Sequence, residues 1–274
     1  MSLQFTQIAS NMPGAEGPVV DRLGRVFCVE PHAGSVWELL PDGTRREHAN
    51  TGGVPAGLFV DRHNQVWIAD MKLGILRLDP AGKVTPVVTT FEGQPMRGCN
   101  DLCISPTDDL YFTAPAGSSA KKPVGEVYSR TREGVVRKLD SGYQFCNGIA
   151  LSADGRLLIV AETATKKLWA FDITEPGVAV NKRLWATLPG EHNGGPDGMD
   201  FDATGLLLAT NWGGGAIEVF DKDGKLVERL VTPFDRPSNV HFGGPDGKRL
   251  YVTEHSTNGV WTSTWRHAGQ AMPW

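Results

Sequence analysis

The sequence predicts an all-β protein folded as a six-bladed β-propeller. Two observations predict this fold: a high content of turn-forming residues and a repeat of about 40 to 50 residues. The 274 residues include 33 Gly and 18 Pro, two residue types that penalise helix interiors and together make up about 12% of an average protein. Since 40% of the residues are hydrophobic and 21% are charged, the composition indicates a folded chain with many short elements rather than a disordered one.

Each repeat contains a turn followed by a short alternating strand with an aromatic residue or Leu near its centre. The first residue of this turn occurs six times, at Asp21, Asp61, Ser105, Ser152, Asp202 and Gly244. A second alternating run with its own turn follows in several copies, as in 35–44, 74–83 and 216–225. Six copies of this length, each with room for four strands, are typical of a six-bladed propeller.

The two ends of the sequence predict how the ring closes. The last copy supplies only three strands, at 239–243, 249–254 and 259–265, whereas 3–9 is an isolated alternating run before the first copy. We therefore expect an N-terminal strand to join the C-terminal blade, since closure hides sheet edges that would otherwise favour aggregation. Residues 1–274 are then expected to form a single propeller domain.

Charge, hydropathy and cysteine content exclude several classes of function. The formal net charge is −4 and the pI is about 6.0, with no long basic stretch, so nucleic acid is not an expected partner. No apolar run approaches the ~20 residues that span a bilayer, and no signal-peptide pattern is visible. The four cysteines include no CxxC pair, which favours reduced, buried thiols in a cytoplasmic protein. The sequence does not indicate an oligomeric state.

Polar residues occupy one position of the repeat, five residues before the turn residue. The six residues at this position are Glu16, Ala56, Asn100, Asn147, Asp197 and Asn239. Equivalent positions of a propeller lie at the same height around its channel, so the five polar side chains are expected on one rim. Carboxylate and amide oxygens suit Ca²⁺, Mg²⁺ or Mn²⁺, and carboxylates also bind Zn²⁺. The alternative interpretation is that these residues cap local turns.

The same residues resemble the SMP-30/gluconolactonase/luciferin-regenerating-enzyme family, from about residue 14 to about residue 254. The motifs that carry the resemblance stand in the family's order: Glu16-Gly-Pro18, Arg97-Gly-Cys-Asn100-Asp101, Asn147-Gly-Ile149, Pro196-Asp-Gly198 and Asn239-Val-His-Phe-Gly-Gly244. The resemblance implies a six-bladed propeller that holds one divalent cation in its channel and hydrolyses lactones of sugar acids.

The resemblance also implies roles for individual residues. Glu16, Asn147 and Asp197 would bind the cation, and Asn100 would contact the cation or the substrate. Asp197 would in addition serve as the general base. A divalent cation polarises a carbonyl oxygen and lowers the pKa of water, and lactone hydrolysis needs both effects.

Arg97 and His192 are further candidates for substrate binding. Two residues separate Arg97 from Asn100, where the family usually has one, so Arg97 is either a substrate contact or a surface residue. His192 lies in the loop before Asp197 and is either a substrate contact or an exposed loop residue.

Five other polar residues end the second strand of their copies: Glu30, Asp70, Glu162, Asn211 and Glu254. We expect them to form hydrogen bonds around the ring or at strand ends rather than to take part in catalysis.

The expected function is therefore that of a metal-dependent lactonase acting on a small-molecule lactone. One alternative is a phosphotriesterase-type hydrolase that uses the same cation, because a Lewis acid does not distinguish carbon from phosphorus. A second alternative is a non-catalytic propeller that binds calcium or other proteins.

Overall fold

The computed structural model describes residues 3–115 and 117–271, which form six four-stranded antiparallel sheets around a central channel. This confirms the predicted six-bladed propeller. The expected domain of residues 1–274 also includes 1, 2, 116 and 272–274, which lie outside the described residues. In the described part of the chain, no helix is long and apolar enough to cross a membrane.

The strands follow one another in chain order, four to a blade. After β1 (Thr6–Ala9), the first blade contains β2 (Glu16–Val20), β3 (Val26–Glu30), β4 (Ser35–Leu39) and β5 (Arg45–Asn50). The second contains β6 (Pro55–Val60), β7 (Val66–Asp70), β8 (Gly74–Leu78) and β9 (Val84–Val88), followed by the small hairpin of β10 (Thr90–Phe91) and β11 (Gln94–Pro95). The third contains β12 (Leu102–Ile104), β13 (Leu110–Ala114), β14 (Gly125–Arg130) and β15 (Val136–Tyr143).

The remaining blades follow the same pattern. The fourth contains β16 (Cys146–Leu151), β17 (Leu157–Glu162), β18 (Lys167–Glu175) and β19 (Val178–Thr187). The fifth contains β20 (Gly195–Phe201), β21 (Leu207–Trp212), β22 (Ala216–Phe220) and β23 (Leu226–Val231). The sixth contains β24 (Pro237–Gly243), β25 (Arg249–Glu254) and β26 (Gly259–Thr264). Short 3₁₀ turns at Pro31–Ala33 and Thr163–Thr165 link second and third strands.

The N-terminal strand closes the ring, as the sequence predicts. Strand β1 pairs antiparallel with β26, with Thr6 opposite Thr262 and Gln7 opposite Trp261. The sixth blade therefore has the order β1-β26-β25-β24. The first strands of neighbouring blades pack side by side around the channel, and β24 of the last blade packs against β2 of the first.

The repeated turn is built by the side chain of its first residue. Asp21 Oδ1 accepts hydrogen bonds from the main-chain N–H groups of Leu23 and Arg25, at 2.9 and 2.8 Å. Asp61 and Asp202 accept the equivalent pairs of bonds in the second and fifth blades. Such side-chain caps explain why Asp recurs at this position of the repeat.

Apolar side chains fill the spaces between neighbouring blades. Trp67 of the second blade, for example, belongs to one cluster with Leu110, Phe112 and Tyr128 of the third. All four cysteines are buried and free, and burial raises the pKa of the Cys28 thiol to about 12. The thiols therefore pack as small apolar groups, in agreement with the expectation of reduced, buried cysteines.

The blades approach one another most closely at the glycines that follow the channel-facing residues. A Cβ atom on Gly148 would lie 2.1 Å from the main-chain oxygen of Asp197 in the next blade. A Cβ atom on Gly198 would lie 2.1 Å from Oδ1 of Asn239, one blade further on. These contacts leave no room for a side chain, so glycine here sets how near the first strands come to each other.

We predict that Gly148→Ala destabilises the protein because the new methyl group meets backbone that cannot move aside freely. The expected loss is about 3 kcal/mol or more in the free energy of unfolding, measured by urea denaturation. Gly43→Ala is the control: nothing lies within 4 Å of its Cβ position, and its φ of 83° costs an Ala about 1 kcal/mol. Equal losses in the two variants would contradict the close-approach explanation.

Candidate active site

The structure brings three of the predicted site residues together at one end of the channel. Glu16 begins β2 of the first blade, Asn147 lies at the start of β16 in the fourth, and Asp197 lies near the start of β20 in the fifth. The Asn147 amide lies close enough to the Asp197 carboxylate to lower its pKa, and the Glu16 charge raises the pKa of the same carboxylate. Three blades that are distant in sequence thus contribute to one polar cluster.

Asp197 lies in an environment that disfavours its negative charge. The residue is 8% exposed, and burial raises the pKa of its carboxyl group well above the ordinary value. The neighbouring charges of Glu16 and Asp101 raise this pKa further. Asp101 follows the third-blade ring residue Asn100, and burial raises the pKa of Asp101 to about 8. Two buried carboxyl groups and the half-buried Glu16 therefore lie in one region of the channel, where protons or a cation would balance their charge.

Thr163 holds the Asn147 side chain in one orientation. Asn147 Nδ2 donates to Thr163 Oγ1 at 3.1 Å, and the Thr163 hydroxyl donates to the main-chain oxygen of Pro196 at 2.7 Å. The second bond makes Thr163 Oγ1 an acceptor toward Asn147, so the amide NH₂ faces Thr163 and Oδ1 is turned away from it. Because Pro196 directly precedes Asp197, Thr163 also connects the positions of two candidate ligands.

His255 holds the Glu16 carboxylate from the sixth blade. Trp212 Nε1 donates to His255 Nδ1 at 3.1 Å, which assigns the proton of the neutral ring to Nε2. This Nε2 atom lies 3.3 Å from Glu16 Oε1 and 3.2 Å from the main-chain oxygen of Ala15. Burial disfavours the charged ring, but the hydrogen bond to Glu16 and the charge of that carboxylate raise the pKa of His255 above its ordinary value.

The other members of the ring use their side chains differently. Asn239 Oδ1 accepts the main-chain N–H of Val240 at 2.8 Å, so this side chain caps its own strand. Asn100 is half-buried, and its main-chain N–H donates to the oxygen of Thr113 at 2.9 Å. The alternative interpretation, in which the polar ring residues cap the local main chain, thus applies to Asn239. Asn147 and Asp197 instead face each other.

Arg97 and His192 are not brought into contact with this cluster in the described residues. The Arg97 guanidinium is exposed and reaches the main-chain oxygen of Lys72 at 3.5 Å. The His192 ring lies beside Lys166 Nζ, which also donates to the main-chain oxygens of His192 and Gly194, at 2.7 and 2.9 Å. Lys166 therefore stabilises the loop that leads to Asp197, and the His192 ring packs against the Lys166 side chain.

The acidic residues at the ends of second strands cap the turns that follow. Glu254 accepts the main-chain N–H groups of Ser256, Thr257 and Gly259. Glu162 accepts the hydroxyl of Thr165 in the turn that follows, at 2.7 Å, and the main-chain N–H of Gln144 before β16, also at 2.7 Å. The predicted hydrogen-bonding role of this layer agrees with these contacts.

In the fourth, fifth and sixth blades, the residue directly after the strand-end position reaches the candidate site. Thr163, Trp212 and His255 follow Glu162, Asn211 and Glu254. The repeat pattern predicts an apolar wall or blade packing for Trp212, whereas Thr163 and His255 were missed because they lie one residue beyond the strand-end position. The signal was present: a hydroxyl, an indole and an imidazole occupy equivalent positions in three successive repeats, where a simple turn would need none of them.

The residues at this end of the channel fit a divalent cation. Two carboxylates and one or two amide oxygens form the oxygen-rich set that hard cations prefer. Among residues 3–115 and 117–271, no group of three His, Cys, Asp or Glu side chains is arranged to hold a metal ion, so a cation here would depend on the asparagine amides. Asp197 is the clearest candidate ligand for a cation, because it is buried next to another carboxylate and no lysine or arginine of the described chain bonds to it.

The fold is a six-bladed propeller with a polar cluster at one end of its channel, and the comparison with known families identifies its class. Residues 14–256 match the model of the SMP-30/Gluconolactonase/LRE-like region. The chain belongs to this family.

Two relatives cover nearly all of the chain. Diisopropyl-fluorophosphatase of Loligo vulgaris is 41% identical over 97% of this chain and 93% of its own length. Gluconolactonase of Zymomonas mobilis is 27% identical over 96% of this chain and 83% of its own length. Both names are those of hydrolases, which supports a hydrolase here.

Solved structures share the fold. A gluconolactonase from Xanthomonas campestris superposes with a TM-score of 0.84 at 22% identity, covering 96% of this chain and 89% of that one. The calcium-binding protein regucalcin from Agrobacterium tumefaciens gives 0.82 at 22% identity, covering 98% and 96%.

We predict that Thr163→Val weakens the site although the substitution preserves side-chain shape. Without the hydroxyl, the Asn147 amide and the Pro196 main chain lose their common partner. The expected result is a 10- to 100-fold loss of divalent-cation affinity or of hydrolytic kcat/KM, typical of residues that orient metal ligands. Thr163→Ser keeps the hydroxyl and serves as the control. A Val variant with unchanged affinity and activity would contradict this role for Thr163.

Proposed function

We propose that this protein is a divalent-cation-dependent hydrolase that opens a small lactone. The observation that carries the proposal is the position of Asp197, buried beside the charge of Glu16 and close to the Asn147 amide. A cation between these groups would remove the electrostatic cost of holding them together. The lactonase relatives support a lactone as the substrate class.

Glu16, Asn147 and Asp197 would hold the cation, with Asn100 beside the cation or the substrate. When bound, a divalent cation supplies a Lewis acid for the carbonyl oxygen and lowers the pKa of water. The side chains of the protein provide the remaining functions. Asp197 accepts a proton from the attacking water, Thr163 keeps the oxygen of Asn147 available, and His255 fixes one oxygen of Glu16.

We predict that Asp197→Asn abolishes most of the hydrolysis, because the amide cannot accept the proton of the attacking water. A general base contributes about 10²- to 10⁴-fold, so kcat should fall by at least 100-fold at saturating divalent cation. Bound cation is measured in the same samples, which separates loss of the base from loss of a ligand. Asp154→Asn, at an exposed turn of the fourth blade, is the matched control. Near-wild-type kcat in Asp197→Asn with cation bound would disprove the assignment to Asp197.

A second candidate function is the hydrolysis of organophosphorus esters and fluorides. The relative at 41% identity, a diisopropyl-fluorophosphatase, specifically favours it. Trp212 lies next to His255 at this end of the channel, and the guanidinium carbon of Arg236 lies 5.1 Å from the centroid of the Trp212 ring.

One experiment tests both functions. The protein is treated with a chelator, dialysed, and supplied separately with Ca²⁺, Mg²⁺, Mn²⁺ or Zn²⁺. Each form is assayed against a panel of sugar lactones and simple aliphatic lactones, and against diisopropyl fluorophosphate with fluoride release as the readout. We expect chelation to remove the activity and at least one cation to restore it. Activity that is indifferent to chelation would overturn the cation-dependent mechanism, and a cation-loaded protein inactive on the whole panel would favour a non-catalytic propeller.

A further inference from the structure

A second polar cleft lies between the second and third blades, away from the candidate active site. Its volume is about 380 Å³, and its lining includes Trp67, Arg77 and Arg130. Trp67 lies near the start of β7, where Val66 pairs with Val60. At the other end of β7, Asp70 pairs with Pro55, which directly precedes Ala56 at the ring position of the second blade. The cleft is therefore on the face of the propeller opposite the candidate active site.

Two guanidinium groups lie near one indole ring in this cleft. Arg77 of β8 stands directly across from Trp67 of β7 in the sheet. Arg130 ends β14 of the neighbouring blade. The guanidinium carbon of each arginine lies 5.9 Å from the centroid of the Trp67 ring, within the range of cation–π attraction. The tryptophan thus holds two positive charges in one cleft.

Neither arginine has a carboxylate partner in the described part of the chain. Arg130 donates only to the main-chain oxygen of Thr131, at 3.2 Å, and no hydrogen bond or ion pair to the Arg77 side chain is present among those residues. The acidic residues nearby are already engaged. Asp61 accepts the N–H groups of its turn and Trp67 Nε1, and Asp108 pairs with Arg62 at 2.8 Å.

The two positive charges are also partly removed from water. Both arginines are half-buried. Burial, followed by the charge of Arg77, lowers the pKa of Arg130. The formal charge of the whole chain is −4, so a general excess of basic residues does not explain why two arginines meet here. An anion between them would remove the repulsion and supply the missing acceptors.

We propose that this cleft binds the phosphate group of a small molecule. Two guanidinium groups match a dianion in charge, and their planar forks match the oxygens of phosphate in geometry. The volume is typical of small-molecule sites and exceeds what one phosphate group fills. The remaining space lies beside Thr85, Pro86 and Val87, which would contact the organic part of the ligand.

Isothermal titration of the cation-loaded protein tests this proposal. The protein is dialysed free of unbound cation in a chloride buffer and titrated with inorganic phosphate and with phenyl phosphate. We expect saturable binding that is tighter for phenyl phosphate. Arg77→Gln and Arg130→Gln should each weaken it at least tenfold, whereas Arg130→Lys, which keeps the charge without the fork, should weaken it less. Arg156→Gln, an exposed arginine at a turn of the fourth blade, should have no effect.

Two outcomes would overturn the proposal. One is the absence of saturable binding for both probes. The other is binding that persists in Arg77→Gln and Arg130→Gln but disappears after chelation or in Asp197→Asn, which would place the phosphate at the channel. Thermal unfolding checks that each variant is folded. If a Gln variant is not folded, the Lys variant at the same position replaces it, and weaker phosphate binding is again expected. The result does not depend on the hydrolytic function, because binding is measured without turnover.

Discussion

The candidate site depends on how closely the first strands of neighbouring blades approach each other. Gly148 and Gly198 have no space for a Cβ atom because the main chain of Asp197 and the side chain of Asn239 occupy it. This approach places residues from the fourth, fifth and sixth blades around one narrow channel. A larger residue at either glycine would push the strands apart, and the polar side chains would no longer meet. The close backbone contact thus determines the positions of the candidate site residues, and their side-chain chemistry depends on those positions.

The charges of the channel follow from the same geometry. A ring of strands this tight removes Asp197 and Asp101 from water, and burial raises the pKa of both carboxyl groups. Such groups are costly for stability unless a proton or a cation compensates them. The arrangement is typical of a functional site, where a fold accepts unfavourable burial to hold reactive groups.

Much of the fold, and which residues form the core of the candidate site, could be predicted from the sequence. The turn repeat gave the six blades, and one position within it located Glu16, Asn147 and Asp197. Arg97 and His192 stand in loops whose paths depend on partners distant in sequence, such as Lys72 and Lys166, so no spacing rule could place them. Thr163 and His255 were missed for a different reason: they lie one residue beyond the strand-end position, and their partners include Pro196 and Glu16 of neighbouring blades.

The pairing of β1 with β26 also has a consequence for synthesis of the protein. Ser263 donates to the main-chain oxygen of Gln4 across 259 residues of sequence. At about 5 to 20 residues per second, the first strand would leave the ribosome roughly 13 to 50 seconds before its partner is made. During that interval the nascent blades form an open arc with unpaired edges. Pairing with β26 ends this exposure, so a chain released before β26 is made would retain the edges most prone to aggregate.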